Sequence, residues 1–163
     1  MTITLIAAMD RNRVIGCGNQ LPWRLPAEMA IFTSATTGKT VLMGRKTFES
    51  LRKPLTNRRN VIITRQSDFK AEGCEVVHSV AEALERYGRM EDDLMIMGGA
   101  EIYKELLPFA DAIILSEVDT EVEGGDAYFP EFDLDDWSLM NSKFRQSDEK
   151  NKFSFTTRTY KRN

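Results

Sequence analysis

Thr40-Val41-Leu42-Met43-Gly44-Arg45-Lys46-Thr47-Phe48-Glu49 passes from an unbroken apolar run, through one glycine, into two cations and a threonine. An apolar run without alternation reads as a strand buried on both faces. The glycine switches the chain from strand to helix. Backbone N–H groups, helix dipole and formal charge then agree at the helix start, which suits an anion. The preceding Gly38-Lys39-Thr40 is not a P-loop tail. The glycine that motif needs five positions earlier is Thr33, and the motif precedes a strand instead of following one.

The same grammar extends outward on both sides. Ile3–Met9 is nearly continuous apolar sequence, as are residues 60–65 until Thr64 and Arg65 close the run. Gly73 precedes a short strand, Cys74–Val77. Ser79-Val80-Ala81-Glu82 is a capping box opening a helix over Val80–Tyr87, with Gly88 as its stop. Residues 93–97 form a buried strand ending in Gly98-Gly99, where backbone approaches a ligand closely or simply turns, before a helix over 100–107 closed by Pro108. Ala112–Val118 is a further strand with Ser116 near its end, and residues 137–144 and 152–160 read as antiparallel partners. This alternation predicts an α/β fold: a mostly parallel central sheet of about eight strands with an antiparallel C-terminal part, flanked by about four helices. Repeats, low-complexity tracts and linkers are missing, so residues 1–163 read as one domain. Ligands bind beyond the carboxyl ends of strands in such sheets, where Ala8, Gly44, Thr64, Arg65, Gly98, Gly99 and Ser116 converge.

Leu21-Pro22-Trp23-Arg24-Leu25-Pro26-Ala27-Glu28-Met29-Ala30-Ile31-Phe32 carries the sharpest local puzzle. Its prolines stiffen the approach, and Pro26 suits the first turn of a helix over residues 26–37. Leu25, Met29 and Phe32 form an expected inward stripe beside which Glu28 stands. Glu28 is either a solvated first-turn acid favoured by the dipole or a buried carboxylate that needs a partner from elsewhere. Upstream, residues 14–20 read as a two-glycine loop, either a connector or a lid, without the third glycine of a dinucleotide fingerprint.

Bulk composition narrows the classes. The chain is 42% hydrophobic and 29% charged with net charge −3, which points to a globular protein and away from nucleic acid. No apolar run reaches membrane length, so cytoplasmic residence is the expectation. Cys17 and Cys74 fit no metal or redox spacing, and His78 is the only histidine, which leaves neutral-pH acid–base work to a carboxylate of shifted pKa and makes a metal site unexpected. Nine cations against Glu49 and Asp68 crowd Lys39 to Lys70, whereas Glu91 to Asp136 holds Lys104 alone. A basic third in an acidic chain suits small anionic ligands.

Taken together, Leu5-Ile6-Ala7-Ala8-Met9, Asn12-Arg13-Val14-Ile15-Gly16, Leu21-Pro22-Trp23 with Leu25-Pro26, Met43 through Ser50, Arg58-Arg59-Asn60, Met97-Gly98-Gly99-Ala100, Glu123-Gly124 with Asp126, and Phe129-Pro130 resemble the bacterial dihydrofolate reductases over essentially the whole chain. The resemblance implies a dihydrofolate-reductase-like fold and NADPH-dependent reduction of 7,8-dihydrofolate to tetrahydrofolate, with antifolates as further ligands and a monomer as the expected state. It implies catalytic roles for Glu28, Leu21, Trp23 and Ser116, with Glu28 gripping the pterin. Ile6, Ala8, Met29, Phe32, Lys53, Leu55 and Arg58 would complete the substrate site, Arg58 holding the glutamate tail. For the cofactor it implies Ala8, Val14, Ile15, Gly16, Asn19, Gln20, Leu21, Gly44, Arg45, Lys46, Thr47, Thr64, Arg65, His78, Met97, Gly98, Gly99, Ala100, Glu101, Ile102 and Tyr103, with Arg45, Thr64 and Arg65 on the 2′-phosphate, a cis Gly98–Gly99 peptide, and residues 14–21 as a lid. This chain departs from the family at two places. The usual Gly-Arg-Pro-Leu-Pro-Gly-Arg reads Arg52-Lys53-Pro54-Leu55-Thr56-Asn57-Arg58, and Glu123-Gly124-Gly125-Asp126 has an extra glycine. The alternatives are a related reductase of another heterocycle, such as the pyrimidine reductase of riboflavin synthesis, or a catalytically silent nucleotide-binding module; Glu28 together with Arg58 favours folate.

Overall fold

Every residue of β1 (Ile3–Met9) is buried, as a two-faced apolar run requires. The structure is a computed structural model that describes residues 2–18, 22–88 and 93–163. After β1 come β2 (Val14–Gly16), α1 (Pro26–Thr36), β3 (Thr40–Gly44), α2 (Arg45–Leu51), β4 (Arg59–Ile63), β5 (Cys74–Val77), α3 (Val80–Tyr87), β6 (Leu94–Ile96), α4 (Ala100–Leu106), a 3₁₀ turn (Leu107–Phe109), β7 (Ala112–Val118), β8 (Ala127–Tyr128), β9 (Trp137–Arg145) and β10 (Phe155–Arg162).

The main sheet has eight strands in the order β5-β4-β3-β6-β1-β7-β10-β9. Its pairs are parallel from β5 to β7, and β10 runs against both neighbours. Alternation along the strands divides the core. Leu5 and Ala7 face the side covered by α3 and α4, with Ala83, Tyr87, Tyr103 and Leu106. Ile6, Val41 and Met43 face Phe32 and Ala35 of α1 and Phe48 and Leu51 of α2. Each face thus has two helices over it, the arrangement the strand–helix alternation predicts.

Three expectations are corrected. Residues 14–16 are not loop: β2 pairs antiparallel with β8 in a separate two-stranded sheet. The fully buried Asp10 makes this possible, because its Oδ1 accepts from Asn12 N and Val14 N at 2.8 Å each and its Oδ2 from Val122 N at 2.7 Å. Second, the stripe of α1 is rotated. Leu25 is extended at the N-cap (φ −129°), out of helical phase, so Glu28 and Thr36 are the helix residues buried, with Phe32 partly buried on the same line, and Met29 is 47% exposed. Third, β4 ends at Ile63 and β10 starts at Phe155, so Thr64 and Arg65 lie just past a strand and residues 152–154 precede one. Parallel register places Ala8 beside Ser116 at the carboxyl ends of β1 and β7.

Candidate active site

Glu28 is the third residue of α1, and only 9% of its surface is exposed. Among the described residues no group donates to its carboxylate. Burial alone pushes its pKa from 4.5 to about 7, because the charged form loses water and gains nothing in return. Across from it on α4, the buried Tyr103 hydroxyl donates to Ile6 O at 2.6 Å, and burial together with the Glu28 charge raises its pKa. Trp23 packs with Ala8, Leu25, Val118 and Phe155, and its indole N–H has no acceptor among the described residues. Two unmatched polar groups on one apolar wall, an acceptor and a donor, mark a place where a polar ligand settles.

Ser116 is 2% exposed, and its hydroxyl lies 2.7 Å from that of Thr157 on β10. It forms no hydrogen bond with Glu28; its partner is the Thr157 hydroxyl. Ile6, Phe32 and Leu55 meet in one apolar cluster. Met29 instead joins Trp23, Leu25 and Glu28 around a cavity of about 650 Å³. Arg58 is half-buried and docked on α1: its Nη1 donates to Thr36 Oγ1 at 3.0 Å and its Nε to Thr56 O at 2.9 Å. Lys53 is exposed and lines neither cavity. The sequence reading missed Asn60 as a site builder. Its amide accepts from Leu55 N and donates to Leu55 O and Arg58 O, which fixes the loop bearing both residues. The signal was present, since a polar residue opening an apolar strand needs local partners.

A second cavity, of about 720 Å³, opens along the carboxyl ends of β3, β4 and β6. It gathers Ala8, Ile15, Gly16, Gly44, Arg45, Lys46, Thr47, Thr64, Arg65, His78, Met97 and the run from Gly98 to Tyr103. Val14 does not line it; its side chain is buried against Gly125 instead. Asn19, Gln20 and Leu21, expected at this site, lie outside the described residues. Ser50, Gln66, Ser79, Val80, Glu105 and Ala127 line the cavity without having been singled out. Ser79 was legible only as a cap: its hydroxyl accepts from Glu82 N at 3.0 Å.

The cavity floor is built from glycines because backbone must come close. The Gly98–Gly99 peptide is cis, and Gly44 N donates to Gly98 O at 2.9 Å. A Cβ on Gly44 would meet Ile102 at 3.2 Å. At the outer end the cations already have partners: Arg45 pairs with Glu49, while Arg65 lies 3.6 Å from Glu101 and 3.7 Å from Glu105. His78 Nδ1 is 2.9 Å from Thr64 O. Over the inner end, Asp126 N donates to Gly16 O at 3.1 Å and Gly18 N to Asp126 Oδ2 at 3.0 Å, which ties residues 16–18 to the acidic loop.

A glycine-floored, cation-ended cleft at the strand termini, beside a buried acid with no donor among the described residues, suits an α/β nucleotide-binding enzyme. The family model for dihydrofolate reductase matches residues 2–162. The chain is similar to the dihydrofolate reductase of Bacillus subtilis, 41% identical over 98% of this chain and 94% of that one, and to that of Haemophilus influenzae, 42% identical over 94% of each. A solved structure of dihydrofolate reductase from Enterococcus faecalis, complexed with NADP(H) and RAB-propyl, superimposes with a TM-score of 0.94 at 36% identity, covering 99% of this chain and 96% of that one. The chain belongs to the dihydrofolate reductase family.

Proposed function

We propose that this protein reduces 7,8-dihydrofolate to tetrahydrofolate with NADPH, as one cytoplasmic domain spanning residues 1–163. The reading is carried by Glu28: a nearly buried carboxylate with no donor among the described residues, pushed up to about 7, is what a pterin's amino and ring N–H groups satisfy in pairs. The larger cavity fits the cofactor. Gly44, Gly98 and Gly99 admit close backbone approach, Lys46 and Thr47 stand at the start of α2 for a pyrophosphate, and Arg45 and Arg65 carry charge for a 2′-phosphate. Bound there, NADPH supplies the hydride.

The chain's own residues do the rest. Glu28 holds the pterin edge and favours its protonated form, since a ligand N–H⁺ beside the carboxylate restores the interaction that burial removed. The unmatched Trp23 indole N–H orders a water for proton delivery beside it. Ile6, Phe32 and Leu55 bury the ring system and exclude bulk water, while Arg58, held by Thr36 and Thr56, offers its remaining N–H groups to the tail carboxylate. Loss of nicotinamide absorbance with NADPH and dihydrofolate tests the activity. Purified, folded protein that fails to consume NADPH with dihydrofolate overturns it. Glu28→Gln tests the assignment: turnover at neutral pH falls by about 10²-fold and recovers in part on acidification, whereas unchanged turnover removes Glu28 from the mechanism.

A further inference from the structure

Helix α1 starts without a cap of its own. Leu25 at the N-cap position offers no side-chain acceptor, and Pro26 has no N–H to satisfy. The first N–H in need of a partner is that of Ala27, and its acceptor comes from 124 residues further along the chain: Asn151 Oδ1, at 2.8 Å. Asn151 sits in the connection between β9 and β10, and only 4% of it is exposed. Each of its polar atoms is engaged. Its backbone N and Nδ2 donate to Asp148 Oδ1 at 2.8 and 3.0 Å, and its backbone O accepts from Asp148 N at 2.8 Å.

A surface hairpin connection with a buried, fully bonded asparagine has a task beyond turning the chain. The same connection leads into Phe153 and Phe155, which pack in the cluster of Trp23 and Leu25 with Ala27 and Ile31 of α1 against it. Cap and apolar wall thus arrive together at the one turn of helix that carries Glu28. We infer that Asn151 is a positioning residue for the reaction: by capping α1 from the β9–β10 connection, it fixes where the Glu28 carboxylate stands. This rests on the role given to Glu28 above. Without the cap the first turn frays, and Glu28 gains water. Among the described residues, the charged and ionisable side chains near Glu28 are Arg24, which lines the same cavity, and Tyr103 on α4, whose hydroxyl donates to Ile6 O.

The test is the pH profile of single-turnover hydride transfer in Asn151→Ala, beside the NADPH dissociation constant and Glu28→Gln. Loss of the cap slows hydride transfer about fivefold at neutral pH and moves the apparent pKa of the profile toward the ordinary carboxylate range, while NADPH affinity holds within about twofold. The exchange Asp148→Asn with Asn151→Asp keeps an acceptor on Ala27 N and a donor–acceptor pair within the connection, so it restores the rate. A lower unfolding midpoint with rate and profile unchanged makes Asn151 merely structural and overturns the inference. If Asn151→Ala does not fold, Asn151→Gln, whose amide stands one methylene too far out, is read in the same way. Unchanged rates in Glu28→Gln would instead defeat the role of Glu28, a separate outcome.

Discussion

Glu28 binds a proton more tightly folded than unfolded, and the sign of its effect on stability follows. Its folded pKa of about 7 lies above the ordinary value of 4.5, so between those values the folded state holds more protons. Stability therefore falls as pH rises through that window, by an amount on the order of 1–3 kcal/mol. Glu28→Gln is expected to unfold at a higher temperature than the parent at pH 8, with the difference vanishing near pH 4.5; equal melting points at both pH values would show that the carboxylate is solvated. Strain at three other residues can be ranked in the same way. Arg13, Arg52 and Asn57 all have positive φ, at 69°, 70° and 59°. Arg52 caps the end of α2, its backbone N–H donating to Phe48 O at 3.1 Å, a bond that glycine keeps. Its side chain makes no hydrogen bond or ion pair among the described residues, so Arg52→Gly relieves strain and stabilises by about 0.5–1 kcal/mol. Arg13 donates to Phe129 O and Pro130 O and lies over Phe132, so Arg13→Gly costs about 1–2 kcal/mol despite the same φ. Urea midpoints of the two variants should move in opposite directions. The lone acid among apolar neighbours singled Glu28 out in the sequence but left it open between a solvated and a buried carboxylate, and its 9% exposure answers that question. The Ser116–Thr157 pair was not readable from sequence, because it joins strands 41 residues apart that meet only in the antiparallel register.

At the scale of elements, local chemistry settled what existed and tertiary contacts settled its phase. Apolar runs and the glycine that ends β3 were enough to place the strands of a mostly parallel sheet. The phase of α1 was not readable, because periodicity assumed Leu25 was helical and its extended backbone removes it from the stripe. β2 was missed for a comparable reason. Three residues are too few to show alternation, and the strand exists because Asp10 and the acidic loop hold it. That loop's extra glycine has a packing role: a Cβ at Gly125 would sit 2.5 Å from Val14 Cγ1 and 2.8 Å from Cγ2. Gly125→Ala should pry β8 from β2, lower stability by about 1–3 kcal/mol and weaken NADPH binding through residues 15–18. Val14→Ala in the same chain removes the clash. A double-mutant cycle with recovery of both properties assigns the effect to this contact, and additive losses refute it.

For the whole molecule, topology does what no single motif can. Parallel pairing from β5 to β7 lays the carboxyl ends of β3, β4 and β6 side by side, so that Gly44, Thr64 and Gly98, far apart in sequence, border one cavity. The charge pattern then divides the labour. The basic third of the chain supplies Arg45 and Arg65 to the cavity's outer end, while the acidic third contributes Glu101 and Glu105 beside Arg65. These surface ion pairs are worth no more than about 1 kcal/mol each, so an incoming phosphate dianion displaces the carboxylates readily. NADPH and NADH differ only in that phosphate. Ligand at 100 times its dissociation constant stabilises the folded state by about 2.7 kcal/mol, so melting temperature reports the phosphate's share directly. NADPH is expected to raise the melting temperature by several degrees more than NADH at equal concentration, and added salt should narrow the gap by screening the two guanidiniums. Arg45→Ala with Arg65→Ala should bring the NADPH shift down to that of NADH and leave the NADH shift in place. Equal losses for both cofactors would mean that the two arginines shape the cavity as a whole and do not read the phosphate.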